Sequence, residues 1–68
     1  MSNVYKVTEI VGTSEESISD AIQSAIAKAG ESIRNLEWFE VGQVRGWIKD
    51  DKVGHYQVTM KIGFKYDK

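Results

Sequence analysis

The chain has 68 residues, a formal net charge of −1, one His and no Cys, and these values exclude several classes of protein. A domain this short buries only about 60% of the surface that its unfolded chain exposes, and without Cys it has no disulfide to stabilise it. A single His is too few for the usual Cys/His zinc site. Association with further copies of the chain is therefore the expected source of added stability. Because the basic residues are scattered, a broad nucleic-acid-binding surface is not expected.

Targeting and membrane-spanning segments are not predicted. Residues 1–12 mix apolar residues with Lys and Glu and lack the apolar run of a signal peptide. No stretch approaches the roughly 20 apolar residues that span a bilayer. With no Pro, internal repeat or linker, the chain is predicted to be a single cytoplasmic domain over residues 1–68.

The first predicted element is a strand. Residues 4–11 are rich in β-branched and aromatic types, and the strand is expected to end at Gly12. Thr13 stands three residues before Glu16, which is the spacing of a helix capping box, and Ser14 is an alternative cap.

A helix of about 20 residues is predicted next, because apolar residues recur at steps of three and four. The residues of this stripe are Ile18, Ala21, Ile22, Ala25, Ile26, Ala29 and Ile33. Gly30 is a poor helix former within this stretch and costs about 1 kcal/mol relative to Ala. Asn35 suits the exit from the helix, because Asn accepts the left-handed conformation.

Two further strands are predicted over residues 38–48 and 53–66, joined by a polar turn at 49–52. The last strand alternates regularly. Its apolar face carries Tyr56, Val58, Met60, Ile62, Phe64 and Tyr66, and its polar face carries His55, Gln57, Thr59, Lys61 and Lys65. The predicted fold is α+β, in the order β-α-β-β, with a three-stranded antiparallel sheet packed on one helix.

The strand over residues 38–48 is apolar on both faces, since Trp38 and Val44 have one parity while Phe39 and Trp47 have the other. One helix covers only one face of a sheet, so the other face is expected to be covered by another subunit or by a ligand. The two Trp residues therefore belong either to a subunit interface or to a binding site.

The register of the two last strands depends on the length of their turn. If the turn has three residues, Arg45 shares the polar face with His55 and Gln57, and a change of one residue reverses this. Trp38 has the opposite parity from Arg45. A site that joins Trp38 to Gln57 therefore needs a β-bulge, for which Gly42 is a candidate, or two different subunits.

Catalytic chemistry is not indicated. His55 stands alone on a polar strand face, where a solvated or hydrogen-bonded His is the ordinary interpretation. Neither a Ser-His-acid set, a Gly-rich phosphate loop nor a metal-ligand spacing is present in the sequence. The chain is predicted to be neither an enzyme nor a metal-binding protein.

Four motifs, in order and spread over nearly the whole chain, resemble the dodecin family. They are Glu9-Ile-Val-Gly-Thr-Ser, Trp38-Phe-Glu-Val, Arg45-Gly, and Tyr56-Gln-Val followed by Gly63-Phe. The resemblance implies a hollow dodecameric shell of cubic symmetry. Such a shell would supply the missing stabilisation and cover the strand over residues 38–48.

The resemblance also implies a flavin site. In dodecins the Trp that matches Trp38 lies against the ring of one of two paired flavins at a two-fold axis, and the Gln that matches Gln57 hydrogen-bonds the ring edge. The Arg that matches Arg45 is typical of bacterial members, and its contact with the flavin side chain or phosphate favours FMN over riboflavin. Position 47 varies more in the family, so Trp47 is assigned to packing.

Flavin storage and photoprotection without turnover are the functions that the resemblance implies. Some bacterial members also hold coenzyme A, for which Lys65, Lys28 and Arg34 are candidate phosphate contacts. The alternative is a structural shell protein without flavin, with or without coenzyme A. A flavin-dependent enzyme is disfavoured, because a ring between a Trp and a second flavin has little exposed face.

Overall fold

The computed structural model describes residues 3–66, and its elements follow the predicted β-α-β-β order. Strand β1 spans Tyr5–Ser14, helix α1 spans Ile18–Ala29, strand β2 spans Leu36–Lys49 and strand β3 spans Lys52–Lys65. The sheet is antiparallel, in the order β1-β3-β2, so the last strand of the chain lies at its centre. The domain predicted over residues 1–68 includes residues 1–2 and 67–68, which lie outside the described residues.

Strand β1 does not end at Gly12, contrary to the prediction. Residues 12–14 remain paired with β3, and Gly12 instead permits a close contact between the sheet and the helix. A Cβ atom at this position would overlap the carbonyl oxygen of Ala21 and lie 2.8 Å from the Cβ of Ala25. Glycine is therefore required here for space, because α1 crosses β1 at this point.

The predicted capping box at Thr13 is wrong, because Thr13 still belongs to β1, and Ser17 caps the helix instead. The Ser17 Oγ accepts a hydrogen bond of 2.9 Å from the backbone N–H of Asp20, as an N-cap residue does. Ser14 organises the preceding turn rather than the helix terminus. Its Oγ accepts from the Glu16 N–H at 2.9 Å and donates to the Asp20 carboxylate at 2.7 Å.

Helix α1 is shorter than predicted, with 12 residues. It ends at Gly30, whose N–H donates to the carbonyl of Ile26 at 2.9 Å, and Ile33 N–H then bonds to the Ala29 carbonyl at 2.9 Å in a tight turn. Asn35 has a φ of 63°, which is the predicted left-handed conformation, and it directly precedes β2.

The turn between β2 and β3 contains two residues rather than three. Asp50 and Asp51 have φ values of 54° and 63°, as in a type I′ hairpin. A bulge compensates for the shorter turn, because Gly54 is an extra residue on β3. Arg45 consequently pairs with Gln57, which is the register predicted with the longer turn.

A second bulge lies at Gly42, where the sequence made it a candidate. Val41 pairs with Met60 and Gln43 pairs with Thr59, so Gly42 is the extra residue on β2. Because side chains alternate along a strand, the bulge moves residues 38–41 to the opposite face from the one that parity with Arg45 suggests.

The core is small and lies between α1, β1 and β3. Its buried residues are Ala21, Ala29, Val58, Met60 and Ile62, and the hydrophobic residues packed around them are Ile10, Ile22, Ala25, Ile26 and Leu36. The burial of Val58, Met60 and Ile62 confirms the predicted apolar face of the last strand at these positions, whereas Tyr66, predicted on the same face, is 52% exposed. Strand β2 packs mainly on β3, so its helix-side residues Phe39, Val41 and Val44 remain exposed.

Candidate ligand-binding site

The face of the sheet that points away from α1 is called the open face. Cross-strand partners share a face, so the register with β3 defines its members. They are Tyr5, Val7, Glu9, Val11 and Thr13 on β1, Trp38, Glu40, Gln43, Arg45 and Trp47 on β2, and His55, Gln57, Thr59, Lys61 and Lys65 on β3. The Gly42 bulge thus brings Trp38 to the same face as Arg45 and Gln57.

Trp38 offers an aromatic surface at one end of the open face. It pairs with Gly63, and its indole lies against the backbone of that glycine. Trp38 remains 42% exposed, although Gly63 is buried. An exposed, laterally supported indole of this kind is suited to stacking on a flat aromatic ligand.

Arg45 and Gln57 form a neighbouring polar pair on β2 and β3. Arg45 is exposed and Gln57 is half-buried, and between residues 3 and 66 no carboxylate lies within ion-pair distance of Arg45. Arg presents a planar fork of donors that fits phosphate or carboxylate oxygens. The Gln side chain provides two donors and an acceptor, so the pair can bind a polar ring edge and an anion.

One chain does not bring Trp38 and Gln57 together. Gly63, on which Trp38 lies, is six residues from Gln57 along β3, and a strand rises about 3.3 Å per residue. The Cα atoms of Gly63 and Gln57 are therefore roughly 20 Å apart, farther than one tricyclic ring reaches. A site that uses both residues on one ring must take them from different subunits, which was the second alternative that the sequence left open.

Trp47 and His55 form an aromatic stack beside the polar pair. Their ring centroids are 4.4 Å apart and their planes are inclined by 19°, while Trp47 remains 45% exposed. The sequence assigned Trp47 to packing and left His55 alone on a polar face. Only the register of β2 and β3 could have revealed that the two residues are partners.

The candidate phosphate contacts separate into two places. Arg34 and Lys65 line one open cavity of about 380 Å³ together with Lys6, a cation that the sequence interpretation missed. The Lys6 Nζ lies 5.4 Å from the centroid of the Tyr66 ring. Lys28 does not line this cavity, and its Nζ instead lies 3.5 Å from the Glu31 carboxylate on the surface of the helix.

Between residues 3 and 66, no three His, Cys, Asp or Glu side chains are grouped so that they could hold a metal ion. In the same range, no helix combines the length and the apolar character that crossing a membrane requires.

Comparison with known proteins identifies relatives over almost the full chain. A family model described as Dodecin matches residues 4–67. Dodecin from Thermus thermophilus is 48% identical over 67 residues, which are 98% of this chain and 97% of that protein.

Solved structures agree with the sequence comparison. The structure of dodecin from Streptomyces davaonensis superposes with a TM-score of 0.93 at 47% identity and covers 100% of both chains. An arginine-to-alanine mutant of the Thermus thermophilus dodecin has a TM-score of 0.94 at 45% identity and covers 98% of this chain and 100% of that one.

Proposed function

The chain belongs to the dodecin family, and from this premise we propose that it is a cytoplasmic bacterial protein that stores flavin, chiefly FMN, and protects it from light without catalytic turnover. The observation that carries the proposal is that the Trp38 indole lies against Gly63 on the open face while the residue remains 42% exposed. An offset aromatic stack contributes about 0.5–1.5 kcal/mol beyond the burial of area.

Assembly into a homododecamer is part of the proposal, and the shape of the single chain supports it. The radius of gyration is 14.1 Å and the longest dimension is 53 Å, whereas a compact domain of this length has a radius of gyration of about 11 Å. The accessible surface is 5333 Å², against about 4,300 Å² for a typical monomer of this mass. A shell would cover this excess surface, including both faces of β2.

The polar residues of the open face fit the remainder of the ligand. Gln57 is placed to hydrogen-bond the carbonyl and N–H groups at the edge of the flavin ring, and Arg45 to bind its phosphate, which favours FMN over riboflavin. Because Gly63, on which Trp38 lies, is roughly 20 Å from Gln57 in one chain, we assign the ring of each flavin to Trp38 of one subunit and Gln57 of another, with flavins paired at two-fold axes.

Photoprotection would follow from the contact with Trp38. A bound flavin supplies the light absorption and an excited state that accepts an electron. The Trp38 indole would donate that electron across the stack and take it back, so no net oxidation occurs and the excitation is lost as heat. The protein contributes the geometry, and no group in the site has to transfer a proton.

Titration with FMN tests this proposal. The wild-type protein is expected to quench most FMN emission, and Trp38→Ala is expected to abolish most of the quenching. Trp47→Ala, which removes the other exposed indole of the open face, is the matched control and should retain the quenching. Unchanged FMN emission with the wild-type protein, at concentrations where it is oligomeric, would defeat the proposal.

Coenzyme A is a second candidate ligand, favoured by the basic cavity of Lys6, Arg34 and Lys65. A phosphate-rich ligand would be held there by charge-assisted hydrogen bonds. Coenzyme A could accompany flavin or be bound by a purely structural shell that holds no flavin.

Mass spectrometry of the ligand released from purified protein separates these alternatives. Arg34→Ala and Lys65→Ala should weaken coenzyme A binding, while Lys28→Ala should leave it unchanged because Lys28 lies outside the cavity. Equal loss in all three variants would indicate an unspecific charge effect and contradict a site in the cavity.

A further inference from the structure

Gly63 lies directly beneath the indole of Trp38. A Cβ atom built on this glycine would overlap Cε2, Cζ2 and Nε1 of the indole, which are atoms of both of its rings. The side chain of any other residue would therefore occupy the space in which the indole lies.

The requirement for glycine here is one of space and not of backbone conformation. No glycine within residues 3–66 has a positive φ, so an L-residue could adopt the backbone geometry at position 63. Gly42 provides the contrast, because a Cβ there would meet only the Thr59 carbonyl oxygen at 3.5 Å, an ordinary van der Waals distance.

The backbone of β3 cannot move away to make room for a side chain. Gly63 is paired with Val7 on one side and with Trp38 on the other, and the preceding residue, Ile62, is buried in the core with 1% exposure. The indole is the part that has space to move, since its outer face is exposed. A methyl group at position 63 would thus lift or rotate the indole.

We infer that Gly63 is a positioning residue of the flavin site. By lacking a side chain, it lets the Trp38 indole lie flat against β3 and present its outer face to the flavin ring. The inference rests on the proposed function for the identity of the ligand. The contact between Gly63 and Trp38 itself is made within one chain.

Stacking depends on this arrangement because two aromatic planes must be nearly parallel and in contact. An indole that is tilted away from the strand would present its edge, and not its flat face, to the flavin ring. It also gains freedom to change rotamer, so binding would have to order it again. Gly63→Ala should therefore weaken ligand binding without removing any atom that touches the ligand.

The test compares Gly63→Ala with Gly42→Ala, a glycine replacement in the same sheet with room for a methyl group. The first property measured is the FMN affinity, from the quenching of FMN emission. The second is the near-ultraviolet circular dichroism of the protein without added FMN, which reports how rigidly the indoles are held. Gly63→Ala should weaken FMN binding about tenfold, the loss expected when an aromatic stack is removed, and should change the indole signal. Gly42→Ala should do neither.

Unaltered FMN affinity and an unaltered indole signal in Gly63→Ala would overturn the inference while leaving the proposed function intact. Failure of the wild-type protein to bind FMN would instead defeat the proposed function. In that case the circular dichroism still decides whether Gly63 holds the indole in place.

If Gly63→Ala does not fold, the same change is made in the Trp38→Ala background. The conflict is with the indole alone, so the double variant should fold and unfold at the same temperature as Trp38→Ala. A double variant that also fails to fold would show that the glycine serves the backbone, and the inference would be wrong.

Discussion

Strands β2 and β3 have the same length, 14 residues each, and both are rich in apolar residues, but they differ completely in burial. In β3, Val58, Met60 and Ile62 are at most 1% exposed. In β2, Phe39 and Val44 are about half exposed, at 47% and 50%. The difference arises from position, because β3 is paired on both edges and covered by α1, whereas β2 has one paired edge and little cover.

The chain thus has a part that completes its own core and a part that does not. The helix buries the sides of β1 and β3 that face it, so the stability of this core should depend little on other molecules. Strand β2 exposes apolar residues toward both sides, and large exposed apolar areas on a small protein usually mark binding surfaces. Substitutions on the two strands should therefore have different kinds of consequence.

The largest effect is expected from Met60→Ala. Met60 is fully buried, and truncation of such a residue costs about 2–5 kcal/mol in the free energy of unfolding. Urea denaturation at several subunit concentrations measures this, and the loss should appear at all of them. Lys61→Ala, on the adjacent exposed position, should change stability by no more than about 0.5 kcal/mol.

A second prediction concerns the uncovered side of β2. Phe39→Ala should weaken association by about 0.7–1.5 kcal/mol per subunit, because the part of Phe39 that is exposed in one chain, 47%, becomes buried only in the assembly. Sedimentation velocity at falling concentration would show smaller species earlier than in the wild type. Glu40→Ala changes the neighbouring residue on the other face and serves as the control. An assembly insensitive to Phe39→Ala would mean that partners do not cover this side of β2.

The packing of the helix can be tested at Gly12. Gly12→Ala places a methyl group against the Ala21 carbonyl and the Ala25 side chain, and overpacking of this kind costs about 1–3 kcal/mol. Thermal unfolding should show the loss. Gly42→Ala should be neutral or slightly stabilising, since the bulge on β2 has room for the methyl group. Equal melting temperatures for the two variants would contradict the close helix–sheet contact.

The smallest effect is expected from the stack of Trp47 and His55. A double-mutant cycle with Trp47→Ala and His55→Ala should give a coupling energy of about 0.5–1.5 kcal/mol. Denaturant unfolding of the four proteins measures it. A coupling energy of zero would show that the two rings are neighbours without interacting. The contact would then contribute nothing to the free energy of unfolding.

Much of the architecture could be predicted because it follows from side-chain periodicity. The alternation from Tyr56 to Phe64 identified β3 and its buried face, and the parity conflict between Trp38 and Arg45 made a bulge at Gly42 one of two alternatives. The terminus of the helix was predicted less well. Ser17 caps it rather than Thr13, because pairing with β3 carries β1 as far as Ser14, and such pairing is not a local property.

The family resemblance named Trp38, Arg45 and Gln57, and the structure adds how they are arranged. It places all three on the open face, yet it separates Trp38 from Gln57 along β3. It also joins Arg34 and Lys65 to Lys6 at one cavity and excludes Lys28 from its lining. None of these relations is encoded by spacing along the chain.

The amino-acid sequence by itself determined the order of the elements and the faces of the central strand, because these depend on which residue types recur at periods of two or near four. Its four motifs carried the resemblance to the dodecins. Tertiary structure alone decided that Gly12 lies under the helix, that Gly63 lies under the Trp38 indole and that Trp47 meets His55. Each of these is a contact between residues distant in the chain. Its existence depends on strand register and on the distance between packed elements, which only the folded protein defines.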